Sequence, residues 1–228
     1  MVSDVEQAVE AFSNGQPVLV FDSAFREQET DLLFPASAAK PSAIRQLRKD
    51  CGGLLFLAIG DEVGGGFGLP WLQDLHINQE LVKENPVLHH LMTNDLQYDS
   101  RSAFTLSLNH RDTFTGITDR DRALTIKEMS TLYKNENPKQ YFNSTFKTPG
   151  HVPLLIASNG LLSSRTGHTE MSVYLAQLAK LSPITAICEM MDSETYSALS
   201  VDKAEKYAKE NAIPFIDGKE LLEFAKVN

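Results

Sequence analysis

The feature that most limits how this chain can fold is a repeated alternation between apolar runs of strand length and stretches of helical period. Pro17-Val18-Leu19-Val20-Phe21, Leu54 to Ile59, Val152 to Ile156 and Ile184 to Met190 are too apolar to face water and too short to read as helices. Between them, Ser3 to Ser13 puts Val5, Ala8, Val9 and Phe12 on one face, with Ser3 as a plausible N-cap and Gly15 past the end. Ser42 to Lys49, stopped by Gly52 and Gly53, and Val201 to Glu210 read as further helices. Another follows Thr169, with Met171, Tyr174, Leu175 and Leu178 on one face. Ile213 to Ile216 then reads as a last strand before a C-terminal helix. Strands alternating with helices predict an α/β (α+β) architecture: a three-layer sandwich in which a mixed sheet is covered by helices.

Residues 1–228 are expected to form a single domain, because no repeat, low-complexity tract or linker interrupts the pattern. The formal net charge of −9 argues against nucleic acid as a general partner, although local arginines can still serve an anionic small molecule. No apolar run reaches the roughly 18 residues of a membrane span, and the start Met-Val-Ser-Asp-Val-Glu lacks the features of a signal peptide. Cys51 and Cys188 match no zinc module and read as reduced thiols, so a cytoplasmic protein is expected.

Four further local expectations concern the remaining stretches. From Asp61 to Tyr98 the periodicity is weak, and Gly64-Gly65-Gly66, which lacks the spacing and lysine of a phosphate loop, reads as a flexible connection. Phe104 to Asn109 alternates like a strand with one apolar face. Thr125-Ile126-Lys127-Glu128 has capping-box spacing and places a helix start at Thr125, while His151 is expected to open its strand.

Several of these stretches carry groups that could do chemistry. In an extended segment, Glu27, Glu29 and Asp31 of Arg26-Glu27-Gln28-Glu29-Thr30-Asp31 would line one edge, a hard-oxygen set suited to Mg²⁺. Arg26 would point away, toward a phosphate or a neighbouring acid. The alternative is a solvated charged turn. In Ser164-Arg165-Thr166-Gly167-His168-Thr169-Glu170, an arginine, a glycine and a helix start capped by Thr169 make a phosphate cradle, with His168 close enough to ligate a metal. An ordinary loop with an exposed histidine fits the same residues. His151 could act as a general acid or base near neutral pH, and Glu189 could do so at the end of its strand. Each fits equally as a residue with no catalytic task. His76, His89, His90 and His110 have no supporting spacing and, with Trp71, read as packing or surface.

Taken in order, Arg26-Glu27-x-Glu29-x-Asp31, Thr115-Gly116-Ile117 with Asp121-Arg122-Ala123, Pro149-Gly150-His151-Val152, Arg165-x-Gly167-His168-Thr169-Glu170 and Cys188-Glu189 resemble the 3,4-dihydroxy-2-butanone 4-phosphate synthase family. The weakly patterned middle is closer to its archaeal, stand-alone branch, and a chain ending at Asn228 is expected to lack the fused cyclohydrolase domain. Phe56 departs from the family, standing where a cysteine is common, and Asp22-Ser23-Ala24-Phe25 is less acidic than usual.

The resemblance implies a lyase of riboflavin biosynthesis that converts D-ribulose 5-phosphate to L-3,4-dihydroxy-2-butanone 4-phosphate and formate. It implies that Glu27 and His168 hold Mg²⁺, or Mn²⁺ in its place. Arg165, Gly167 and Thr169 would hold the sugar phosphate, Arg26, Glu27, Asp31 and Glu189 would contact its hydroxyls, and Thr166 and His168 would also line the substrate site. His151 and Glu189 would be essential to the chemistry, with sites assembled at a homodimer interface. Two rivals share some of these features. A metal-dependent sugar-phosphate isomerase or epimerase would need the same groups but release no formate. A non-catalytic phosphate-binding module would not depend on His151. The fold also resembles a carbamoyl-adenylate-forming family, whose lysine-rich nucleotide site has no counterpart in this sequence.

Overall fold

The computed structural model describes residues 3–91, 96, 99 and 101–227. The chain opens on helix α1 (Asp4–Ser13), where Ser3 and Glu6 form a reciprocal capping box. A hairpin of β1 (Val18–Phe21) and β2 (Thr30–Pro35) leads to α2 (Pro41–Gln46), which runs into a π-helical turn ending at Gly52, a left-handed cap with φ 87°. β3 (Phe56–Ile59) is followed by the short helices α3 (Asp61–Phe67), α4 (Leu72–His76), α5 (Gln79–Glu84) and α6 (Val87–His90). Then come β4 (Phe104–His110), α7 (Asp119–Leu132), α8 (Pro138–Thr145) and β5 (Phe146–Ile156). The chain continues through α9 (His168–Leu178), β6 (Ile184–Glu189), a small β7–β8 hairpin (Met191–Asp192, Ser197–Ala198), α10 (Val201–Asn211), β9 (Phe215–Asp217) and α11 (Gly218–Val227).

Seven strands form one mixed sheet in the order β4-β5-β3-β6-β2-β1-β9. β1 with β9 and β3 with β5 are parallel, and the other neighbouring pairs are antiparallel. Side chains alternate across a strand, so consecutive apolar residues feed two different cores. Leu19, Leu32, Leu57, Leu154 and Ala186 pack on one face with Ile44, Ile126, Met129 and Ala204 from α2, α7 and α10. Val20, Leu33, Ala58, Leu155 and Ile187 pack on the other with Ala8, Phe12, Met171, Leu175 and Leu221 from α1, α9 and α11. This is the three-layer sandwich expected from the alternation. Among the described residues no helix is long and apolar enough to cross a membrane.

Local expectations needed correction where long-range contacts decide. Gly64-Gly65-Gly66 lies inside helix α3, not in a flexible connection. A Cβ at Gly64 would come within 3.1 Å of Ile156 Cδ1, so the glycine permits close packing of α3 on the sheet. Helix α7 begins at Asp119 under a Thr118 cap rather than at Thr125. The buried Thr125 hydroxyl instead donates to Asp121 O (3.0 Å) and accepts from the N–H of His110 (2.9 Å), tying α7 to β4. The second helix stops as an α-helix at Gln46. Of the weakly patterned 61–98 stretch, residues 92–95, 97 and 98 lie outside the described residues.

β5 is longer than expected, and His151 lies within it rather than at its mouth. Pairing with β4 passes from Leu108–Val152 to Asn109–Lys147, which leaves residues 148–151 out of register. Gly150 sits so close to the Leu108 backbone that any side chain there would collide with it.

Candidate active site

The register of the sheet builds the site. Asp31, at the start of β2, lies opposite Glu189, at the end of β6. Their neighbours Leu33 and Ile187 belong to the α9-side core, so by alternation both acids face the layer in which α9 begins. His168 is the first residue of α9 and is buried there. Its Nδ1 is 3.5 Å from Asp31 Oδ2 and 3.5 Å from Glu27 Oε2.

Glu27 arrives by a different route from the one its spacing predicts. Residues 24–27 form a turn and Gln28 has φ 60°, so this stretch is not an extended edge. The turn is clamped by Asp22, whose buried carboxylate accepts from the N–H groups of Glu27 (2.8 Å) and Glu29 (3.1 Å). Glu27, Glu29 and Asp31 nevertheless line one cleft of about 280 Å³, together with Arg165, His168 and Glu189. Thr169 and Phe56 also border it. Arg26 does not project freely: its Nη1 lies 3.0 Å from Glu27 Oε1 and its Nη2 donates to Asp99. Arg26 and Thr166 border an adjoining cleft of about 290 Å³ that shares Asp99, Arg101 and Arg165 with the first.

Gly167, not Thr169, caps α9, at φ −88° and with no side-chain bond. Its lack of a Cβ matters because one would press on the guanidinium groups of both Arg165 and Arg26. His168 is buried, which removes the exposed-histidine alternative.

Burial and crowding of charge set the protonation of this cluster. Burial, with help from the carboxylates of Glu189, Glu29 and Glu27, pushes Asp31 up to about 8 against the pull of His168. His168 is raised to about 9: burial alone would lower it, but Asp31, the hydrogen bond to Glu27 and the nearby Asp22 outweigh that. Glu27 moves the other way, because its bond to His168 and the charge of Arg26 overcome its burial. Burial also raises Glu189, whose Oε2 accepts from the N–H of Leu54 at 2.6 Å, and it raises Glu29. Asp31 and His168 thus hold protons that the free side chains would have released by neutrality or slightly above it, while Glu27 stays ionised. That is the signature of surplus buried negative charge, which a divalent cation would neutralise.

The donors fit such a cation. Asp22, Glu27 and His168 each bring a ligand atom within 4.8 Å of the other two. His168 Nε2 and Asp31 Oδ1 are buried without a hydrogen-bond partner. Carboxylate oxygens suit Mg²⁺, and an added imidazole is well tolerated by Mn²⁺. Asp22 was not singled out by its sequence. The available signal was its place, an acid at the end of the apolar strand Val18–Phe21.

Glu189 is also held from the segment that leads into β3. Gly53 donates its N–H to Glu189 O at 3.1 Å, and a Cβ on Gly53 would lie 2.7 Å from that carbonyl oxygen. Gly53→Ala should therefore displace the Glu189 backbone and cost about 1–3 kcal/mol of stability, the usual range for forcing extra atoms into a packed site. A thermal melt of the variant checks this, and an unchanged melting temperature would contradict it.

His151 stands apart. It is exposed, lies outside the cleft, and is held by Asn109, whose Oδ1 accepts from the N–H of His151 at 2.8 Å. Gly116, at φ 91°, lies against the Asn109 side chain, and its N–H donates to Asp121 Oδ2 at 2.9 Å. The stretch 115–123 is thereby connected to His151 through packing.

An α/β sandwich that gathers acids, a buried histidine and an arginine at one end of its sheet has the make-up of an enzyme acting on a small anionic substrate. The chain belongs to the 3,4-dihydroxy-2-butanone 4-phosphate synthase family, whose model matches residues 6–224. The 3,4-dihydroxy-2-butanone 4-phosphate synthase of Methanothermobacter thermautotrophicus is 43% identical over 96% of this chain and 94% of its own length. That of Archaeoglobus fulgidus is 44% identical over 98% and 94%. The fold matches the crystal structure of the Candida albicans synthase with a TM-score of 0.76, at 28% identity over 99% of this chain and 98% of that one. It also matches a synthase crystallised with two magnesium ions (TM-score 0.79, 22% identity, 98% and 97% covered).

Proposed function

We propose that this protein converts D-ribulose 5-phosphate to L-3,4-dihydroxy-2-butanone 4-phosphate and formate, the family's step in riboflavin biosynthesis, in the cytoplasm. The observation that carries this reading is the convergence of Glu27, Asp31, Arg165, His168 and Glu189, from well-separated stretches, on one cleft.

In this reading Glu27 and His168, joined by Asp22, hold Mg²⁺ or Mn²⁺. When bound, the cation supplies Lewis-acid stabilisation to oxygens that gain negative charge. Arg165, Thr166, Gly167 and Thr169 grip the phosphate, helped by the free N–H groups and dipole of the α9 start. Anchoring the non-reacting phosphate orients the carbons to be deprotonated. Arg26, Asp31 and Glu189 meet the sugar hydroxyls. Glu189, with its proton affinity raised by burial, is suited to exchange protons with carbon or hydroxyl near neutrality.

His151 completes the set across a homodimer. Its exposure and its absence from the lining of its own chain's cleft favour delivery of His151 of the partner subunit to this site.

Arg165→Ala tests the phosphate grip. Loss of a charge-assisted pair of this kind should weaken ribulose 5-phosphate by on the order of 10²-fold and dephosphorylated ribulose by far less. Equal losses for the two sugars would make Arg165 structural instead.

A further inference from the structure

Arg26 and Arg165 come from the β1–β2 turn and the approach to α9, yet their guanidinium groups meet on one carboxylate. Asp99 Oδ2 accepts from Arg26 Nη2 at 2.9 Å and from Arg165 Nη2 at 2.6 Å. Each arginine is also anchored elsewhere. Arg26 Nη1 lies 3.0 Å from Glu27 and 3.7 Å from Asp22. Arg165 Nη1 donates to Glu170 Oε2 at 2.5 Å, and the buried Glu170 is fixed in turn by the N–H of Ser158 at 2.8 Å. The two cations would therefore stay side by side without Asp99.

Asp99 leaves this pair incompletely served. Its side chain is only 11% exposed, and the two arginines hold it ionised, outweighing the effect of burial. Yet it brings one negative charge and two oxygens, and Arg165 Nε remains buried with no hydrogen-bond partner. A phosphate monoester carries about −1.5 to −2 charges near neutrality and has three acceptor oxygens. It can serve both guanidinium groups and the spare Nε, which Asp99 as placed does not reach.

We propose that Asp99 is a specificity-determining residue: it occupies the seat of the substrate's phosphate as an internal monoanion, so that only a dianionic phosphate displaces it. A ligand that ends in a carboxylate gains no charge over Asp99 and must compete with a group tethered beside the seat. The inference rests on reading Arg165 as the phosphate grip and moves Arg26 from the sugar hydroxyls to the phosphate beside Arg165. It adds an occupant and a charge threshold. The consequence for substrate is an apparent affinity reduced by the fraction of time the seat is free.

The test uses the whole protein and its Asp99→Asn and Asp99→Ser variants, each checked by thermal melting, titrated with inorganic phosphate and with acetate. Asp99→Asn should bind phosphate on the order of tenfold more tightly than wild type, as expected for emptying a seat filled about nine-tenths of the time. Its KM for ribulose 5-phosphate should fall in parallel, and acetate, which wild type excludes, should bind measurably. Phosphate affinity equal to or weaker than wild type in both variants would overturn the proposal. So would loss of cooperative melting in both, which would make Asp99 a structural clasp. The phosphate titration needs no turnover, so failure of the synthase reading would show separately, as absent formate release by wild type.

Discussion

Glu27→Gln should lower metal-dependent turnover by on the order of 100-fold or more while leaving the folded structure intact. Even partners outside the immediate ligand set are worth about 10–100-fold at metal sites, so a direct carboxylate ligand should be worth at least as much. Glutamine keeps the shape of the side chain and removes its charge. Glu27 sits on a turn whose backbone is held by Asp22 rather than by its own carboxylate, so the turn should survive the change. His168 would lose one of the two acids 3.5 Å from its Nδ1 but keep Asp31. Activity measured against Mg²⁺ concentration, with circular dichroism on the same samples, checks this. A variant with full activity that is still abolished by a chelator would remove Glu27 from the metal site.

The second large effect concerns Glu189 and His151. Each of Glu189→Gln and His151→Ala should reduce formate release by about 10²–10⁴-fold, the usual contribution of a positioned acid or base. If the site is shared between subunits, mixed dimers of the two variants regain activity. A heterodimer has one site with both changes and one with neither, so an equal, random mixture should recover about a quarter of wild-type turnover under two-fold symmetry. Co-refolding the two variants and assaying formate reads this directly. Recovery no greater than the sum of the separate variants would place His151 and Glu189 in the same chain's site, or remove one of them from the chemistry.

The sheet was legible because strand and helix periods are local signals, and the two cores follow from alternation along Leu32-Leu33 and Leu57-Ala58. What failed depended on contacts between distant residues. Nothing in Gly64-Gly65-Gly66 announces a helix. The space that makes one worthwhile is set by Ile156. Thr125 carries a capping signature, but a buried donor at the end of β4 claims its hydroxyl.

The site shows the same division. Glu27, Asp31, Arg165, His168 and Glu189 came to attention as runs of chemistry-bearing residues, and the fold brings them together. Asp22 did not stand out, because its role is to accept from two backbone N–H groups created by the turn it closes. Asp99 lies in a stretch with no periodicity, and only the meeting of Arg26 and Arg165 reveals it. The expected extended edge is absent, yet Glu27 and Asp31 still meet in one cleft, because a clamped turn carries Glu27 there.

The most direct test of the account is formate release from D-ribulose 5-phosphate by the purified protein, followed with a coupled dehydrogenase assay in Mg²⁺ and again after chelation. The account predicts one formate per ribulose 5-phosphate consumed, abolished by the chelator and restored by Mg²⁺ or Mn²⁺. Consumption of the sugar phosphate to an isomer or epimer without formate would contradict it.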